Sequence, residues 1–246
     1  HRRLGHTNPR SMELLRRKEG NGVEYTGTVS NCDMWALLSK SRQQAHRKKS
    51  ARTTTRSMLH IYTDLMGPFT PRAKALHQFN IPLEIRIETV SCDRGSEYIG
   101  KEFKTLCVNT GINVKNTATN TPQQNGVPER DGQTLAQITR CLMKDGNFPP
   151  LLWAELTFTA AYLSNRSPHS ALGGATPYFR MHNKEADLSG QRTIGARAFA
   201  HRETYTRKLD DLVFEEKLCG FGQDSRAYRI YNPAKGTVVE TRNVTF

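Results

Sequence analysis

The sequence predicts an α/β domain followed by a small all-β module. Between residues 58 and 165, short β-branched runs alternate with stretches whose apolar residues fall at helical spacing. Beyond about residue 186, helical spacing gives way to short apolar runs separated by turn residues. A basic tract over 41–56 (SRQQAHRKKSARTTTR) sets both apart from a short polar N-terminal stretch.

Residues 1–40 carry scattered His and Cys, and the tract at 41–56 reads as a linker or an arm on nucleic acid. Apolar and β-branched residues over 58–66 predict a strand, stopped by Gly67 and Pro68. A short helix is expected over 73–83, with Pro82 cutting into it. Residues 85–90 alternate apolar and polar, then give way to Ser91-Cys92-Asp93-Arg94-Gly95, a strand delivering an acid at its end. Phe103, Leu106 and Cys107 predict a helix over 100–110 that Gly111 closes. A third strand is expected over 112–117. Leu135, Ile138 and Leu142 predict a helix over 127–145, and Trp153, Leu156, Ala160 and Leu163 another over 150–165. Further strands are expected over 196–201, 217–222, 227–231 and 237–246, with the turn Asn232-Pro233-Ala234-Lys235-Gly236 joining the last two.

The 246 residues suffice for one large domain or two to three small ones. Only 36% are hydrophobic, and the mean hydropathy is −0.65, so much of the chain is loop or surface. Lys and Arg number 36 against 23 Asp and Glu, a formal net charge of +13. That balance favours a polyanionic partner, most simply nucleic acid; a merely soluble basic protein is the alternative. No apolar run approaches the ~18 residues of a membrane span, so no membrane partner is expected. The opening His1-Arg2-Arg3-Leu4-Gly5-His6 is not a signal peptide and lacks Met, as expected of a piece of a longer polypeptide. Cys32, Cys92, Cys107, Cys141 and Cys219 are odd in number and lack disulfide spacing. They suit a reducing compartment, nuclear or cytoplasmic, rather than secretion.

Three acids stand out. Asp64 sits near the end of the first strand, Asp93 at the end of the second, and Glu129 at the start of the helix after a polar Gly/Pro loop. Phosphoryl transfer needs carboxylates that hold two cations about 3.5–4 Å apart, and Mg²⁺ or Mn²⁺ take few oxygen ligands, leaving room for water and phosphate. An aspartate after a strand is more often a cap or turn residue, so position alone does not carry this assignment.

The surrounding motifs do. Asp64-Leu65-Met66-Gly67-Pro68, Cys92-Asp93-Arg94-Gly95-Ser96-Glu97-Tyr98 and Thr121-Pro122-Gln123-Gln124-Asn125-Gly126-Val127-Pro128-Glu129-Arg130 match the stretches that carry the acids in copia-type retrotransposon integrases. Asp93 and Glu129 are separated by 35 residues. Trp153-Ala154-Glu155, Asn165-Arg166-Ser167-Pro168 and Thr176-Pro177-Tyr178 add to the match. Over nearly its whole length the chain resembles the integrase region of those polyproteins.

The resemblance implies a ribonuclease H-like core over 58–185, a His/Cys module of the GAG-pre-integrase kind over 1–40, a basic linker over 41–57, and an SH3-like β module over 186–246. It implies metal-dependent processing of a DNA 3′ end and strand transfer, with Asp64, Asp93 and Glu129 as catalytic residues and ligands of Mg²⁺ or Mn²⁺. DNA, both element ends and target, is the implied partner, on a homo-multimer. Gln123, Gln124 and Asn125 are implied to reach DNA near the cut. Arg130, Arg140 and Lys144 lie on the helix that Glu129 opens and could contact phosphates; as a plain helix face they would simply be solvated. Lys208, Lys217, Arg226, Arg229, Lys235 and Arg242 give the last module a basic bias, suited to DNA or to an inert spacer.

The chain departs from the family twice. The N-terminal module of relatives offers a His pair and Cys-x-x-Cys for Zn²⁺; here His1, His6 and Cys32 match, but Trp35 stands at the fourth position and has no lone pair to offer. The zinc site is therefore incomplete. Only 28 residues separate Asp64 from Asp93, too few for the two strands and helix that relatives hold there, though enough for one crossover. The expectation is a core lacking two strands, with one bare sheet edge, and an impaired enzyme. The alternative is a non-catalytic nucleic-acid-binding remnant of a decayed element.

Overall fold

The computed structural model describes residues 2–7, 9–16, 27, 60–62, 88–92, 100–116, 126–201, 213–222 and 227–246. Its helices among these are α1 (Pro9–Arg16), α2 (Lys101–Thr110), α3 (Gly126–Asp145), α4 (Trp153–Asn165) and α5 (Pro177–His182). Contacts divide the chain into two units. One comprises residues 42–69 and 77–134, the other residues 1–41, 70–76 and 135–246.

In the first unit, β1 (His60–Tyr62), β2 (Thr89–Cys92) and β3 (Asn113–Asn116) form a parallel sheet in the order β1-β2-β3. Ile61, Val90 and Val114 share one row across it, and Val90 is buried. Parallel neighbours need long crossovers, and α2 supplies the one from β2 to β3. Gly111 ends α2 in the left-handed conformation, φ 69°, where its N–H donates to the carbonyls of Cys107 and Val108. Cys107 is buried as expected, but Leu106 is 58% exposed. Of the strand expected over 85–90, Thr89 and Val90 lie in β2, and residues 85–87 lie outside the described residues. Glu88 precedes β2, and pairing to β3 carries β2 on to Cys92. The helix expected over 73–83 lies outside the described residues.

The second unit is built on α3 and α4. Leu156, Ala160 and Leu163 of α4 and Ile138 and Leu142 of α3 join Leu218, Ile230, Phe221 and Tyr231 in one apolar core. A 3-10 turn, Pro150–Leu152, leads into α4. The last four residues belong to a five-stranded antiparallel sheet of β4 (Arg197–His201), β5 (Val213–Phe221), β6 (Tyr228–Asn232), β7 (Thr237–Thr241) and β8 (Val244–Thr245). Its order is β7-β6-β5-β4-β8, so the edge strands β7 and β8 are joined by Arg242 and Asn243 alone. Three Cα–Cα steps reach about 11 Å, whereas the edges of a flat five-stranded sheet stand about 19 Å apart. The sheet therefore curls until its edges approach, as in a small barrel.

Gly220 makes the join with α4. The register shifts between Leu218 and Gly220, and a Cβ on Gly220 would lie 2.5 Å from Thr159 Oγ1. Its absence lets Thr159 reach the Cys219 carbonyl at 2.8 Å. In the same unit, Leu4, Met12, Leu15, Ala186 and Leu188 form a second, smaller core that seats residues 2–16.

Candidate functional site

β1 and β2 run parallel as direct neighbours, with Tyr62 opposite Ser91. In sequence, Asp64 comes two residues after the end of β1 and Asp93 one residue after the end of β2. In open parallel sheets, ligands bind beyond the carboxyl ends of the strands. Glu129 is the fourth residue of α3, in its first turn, where a carboxylate is favoured by the unpaired N–H groups and the helix dipole. Pro128, in the same turn, costs no hydrogen bond there. Asp64 and Asp93 lie outside the described residues, as do Gln123, Gln124, Asn125, His1 and Cys32. Glu129 and Arg130 are placed by their backbone.

Arg140 and Lys144 are one helical turn apart on α3 and both exposed. His6 is buried, and its Nε2 stands 3.3 Å from Asp145 Oδ2 at the end of α3; Arg2 reaches the same oxygen at 2.9 Å. No group of three or more metal-ligating side chains occurs among the described residues, nor is any helix there long and apolar enough to cross a membrane.

Within the curled sheet, the basic residues divide by role. Arg229 is locked in place. Its Nε and Nη2 donate to the two carboxylate oxygens of Glu155 on α4, each at 2.9 Å, and its Nη1 donates to Glu240 Oε2 at 3.1 Å. Lys217 donates to the carbonyls of Gly146 and Asn147, 3.2 and 3.5 Å away, satisfying carbonyls just beyond the end of α3. Neither arrangement was legible in the sequence. The available hint was Glu155 itself, a carboxylate beside the apolar positions of α4, which needs a cationic partner to be buried.

Tyr162 of α4 stacks on Phe221 of β5 at 4.9 Å, and the Arg166 guanidinium lies 3.5 Å from the Tyr162 ring and 4.9 Å from that of Tyr178. Burial pushes the Tyr162 phenol above its ordinary range and pulls the Arg166 guanidinium below its own, while the two partly oppose each other's shift. Burial also pushes the Cys219 thiol far up, with Glu155 adding to the effect.

Residues 196–246 match the family described as the retroviral polymerase SH3-like domain, in agreement with the curled sheet. Over all of this chain, the retrovirus-related Pol polyprotein from transposon TNT 1-94 of Nicotiana tabacum is 28% identical. These matches support a copia-type retrotransposon polyprotein region. The Pol polyproteins from transposons RE2 and RE1 of Arabidopsis thaliana are 23% and 24% identical over 66% of the chain. The chain spans 21% of the tobacco polyprotein and 11% of each Arabidopsis one. The tobacco alignment runs over 281 positions against 246 residues here, so the relative carries segments without counterpart in this chain. A chain of the simian T-cell lymphotropic virus intasome, in complex with a PP2A regulatory subunit, is 15% identical with a TM-score of 0.36, covering 63% of this chain and 55% of its own.

Proposed function

We propose that this chain is the integrase region of a copia-type element, with a ribonuclease H-like core that joins DNA ends to target DNA. The observation that carries the reading is the parallel pairing of β1 with β2, whose carboxyl ends lead in sequence to Asp64 and Asp93. Glu129 adds a third carboxylate from the start of α3.

The chemistry proceeds in two exchanges. Water attacks a phosphorus near the DNA end, breaking the P–O bond to the 3′ oxygen and leaving a 3′ hydroxyl. That hydroxyl then attacks a phosphorus of the target, forming a new P–O bond as the target's own 3′ oxygen leaves with a proton. One phosphodiester bond forms for each one broken in the second exchange, so no nucleotide energy source is required. Mg²⁺ or Mn²⁺ held by Asp64, Asp93 and Glu129 would supply charge neutralisation at the phosphate and orient the attacking oxygen. The donor set fits, being carboxylate oxygens from separate elements. Arg130, Arg140, Lys144 and the Gln123-Gln124-Asn125 loop would hold the DNA end. Zn²⁺ fits less well, because Trp35 replaces a ligand and the Nε2 of His6 faces Asp145.

The test is strand transfer with Mn²⁺ and an oligonucleotide copied from the element's own terminus, beside Glu129→Gln. Joined product that vanishes in the variant supports the reading. A second reading, a DNA-binding remnant without catalysis, is favoured by the 28-residue interval between Asp64 and Asp93. It predicts no product from either protein and equal DNA binding by both.

A further inference from the structure

Residues 2–16 carry an anchor of their own on the second unit. A 3-10 turn over Arg2–Leu4 leads through Gly5 and His6 to α1. Gly5 and His6 both take the left-handed conformation, φ 62° and 60°, which is uncommon for a histidine. The turn they make leaves His6 almost wholly buried, its Nε2 3.3 Å from Asp145 Oδ2. A Cβ on Gly5 would stand 3.0 Å from Leu163 Cδ1 and 3.2 Å from Ile138 Cγ2, so the backbone here lies directly on α3 and α4. Arg2 Nε reaches Asp145 at 2.9 Å, Thr7 Oγ1 lies 3.2 Å from Ser167 Oγ, and Ser11 donates to the Pro168 carbonyl at 3.3 Å. Leu4, Met12 and Leu15 share a small core with Ala186 and Leu188.

We propose that this chain keeps its N-terminal segment folded without zinc. The metal anchor that the family resemblance implies is replaced by the Asp145 bridge and by a core borrowed from the second unit. A short His/Cys module has too few apolar residues to fold alone, so metal binding normally supplies its folding free energy. Here the shortage is met from elsewhere in the chain, by Ala186 and Leu188 around Leu15 and by Leu163 and Ile138 against Gly5. The donor set points the same way. A structural zinc site needs four ligands, and Trp35, at the fourth position, has no lone pair to give. One arrangement would reconcile the His6–Asp145 contact with zinc: Nδ1 on the metal, with Asp145 as the outer partner of the imidazole. That arrangement would make the segment depend on Cys32, whereas the protein anchor does not. The proposal is independent of whether the chain joins DNA.

The test is limited trypsin digestion of the untagged full chain, following cleavage after Arg10, which is exposed on α1. Cleavage within a docked helix reads how often that segment opens. A chelator and Cys32→Ser should each leave the rate unchanged, and the chain purified from zinc-supplemented medium should hold far less than an equivalent of zinc. Leu15→Ala, which empties part of the small core, should speed cleavage severalfold, and so should Asp145→Asn, which removes the charge that Arg2 and His6 face. Circular dichroism should show helix and sheet retained in both. Met12→Ala cuts into the same core and takes the place of Leu15→Ala if that variant does not fold. A full equivalent of zinc, or a chelator or Cys32→Ser effect as large as that of the core variant, would overturn the proposal in favour of a metal site. Unchanged cleavage in the core variant or in Asp145→Asn would overturn the protein anchor itself.

Discussion

Arg229 on β6 and Glu155 on α4 form a two-pronged ion pair, both N···O distances 2.9 Å, with side chains only 16% and 10% exposed. It links the curled sheet to the helical half of the same unit. Removing one partner strands the other in a site shielded from water. Glu155→Gln and Arg229→Met should each lower unfolding free energy by about 3 kcal/mol. Arg229→Lys should recover only part of it, because an ammonium cannot match both oxygens. Urea denaturation of the full chain checks this; costs below that of an exposed pair would mean the bridge is solvated.

Gly220 and Thr159 should show strong coupling. Gly220→Ala places a methyl group 2.5 Å from Thr159 Oγ1 and should destabilise by about 1–3 kcal/mol through overpacking. Thr159→Ala loses the bond to the Cys219 carbonyl but clears the space. The double variant should therefore cost clearly less than the two single costs combined. Additive costs would show that the strand moves away from α4 freely.

Residues 196–246, the stretch matching the SH3-like family, should not fold alone. Leu218, Ile230 and Phe221 share their core with Leu156, Ala160 and Leu163 of α4. A fragment so short has little core to spare. It should bind a hydrophobic dye and melt without cooperativity, whereas a fragment of residues 135–246 should melt cooperatively. Calorimetry on both fragments decides it.

Helix periodicity was legible in the sequence because α3 and α4 bury their apolar stripes as the spacing of Ile138, Leu142, Leu156, Ala160 and Leu163 requires. The parallel pairing of β1 with β2 followed from the fold that the motifs implied, and from the crossover length of the interval. What escaped reading were contacts between residues remote in sequence. Arg229 looked like a free cation for DNA, yet Glu155, 74 residues away, holds it. Leu106 fits the helical pattern of α2 yet is largely exposed, since periodicity names a face without saying what covers it. The reach of Lys217 to the carbonyls beyond α3 goes with the close approach of Gly195 to Gly146, which no local pattern announces.

Alkaline pH should weaken the fold at the α4–sheet join. Burial raises the Cys219 thiol above its ordinary 9.0 and the Tyr162 phenol above 10.0. Each group favours its neutral form more strongly when folded. Their contribution is complete below those ordinary values and is lost as pH rises through and beyond them. Melting temperature should thus fall above about pH 9, and Cys219→Ala with Tyr162→Phe should flatten that fall. Native Cys219 should also resist thiol reagents at pH 8 and react once the chain is unfolded.

Asp64, Asp93 and Glu129 should behave as one unit in catalysis. Loss of an outer partner of a metal ligand typically costs 10–100-fold, so Asp64→Asn or Asp93→Asn should reduce Mn²⁺-dependent nicking by at least about 100-fold. A set that works only when complete gives non-additive losses, and the triple variant should be hardly worse than any single one. DNA affinity in chelator should stay level or rise in each variant, because a negative charge near the phosphates has been removed. Parallel loss of affinity and nicking would point instead to a folding defect. Unchanged nicking in Asp93→Asn would remove the β2 end from the site and with it the case for a three-carboxylate centre.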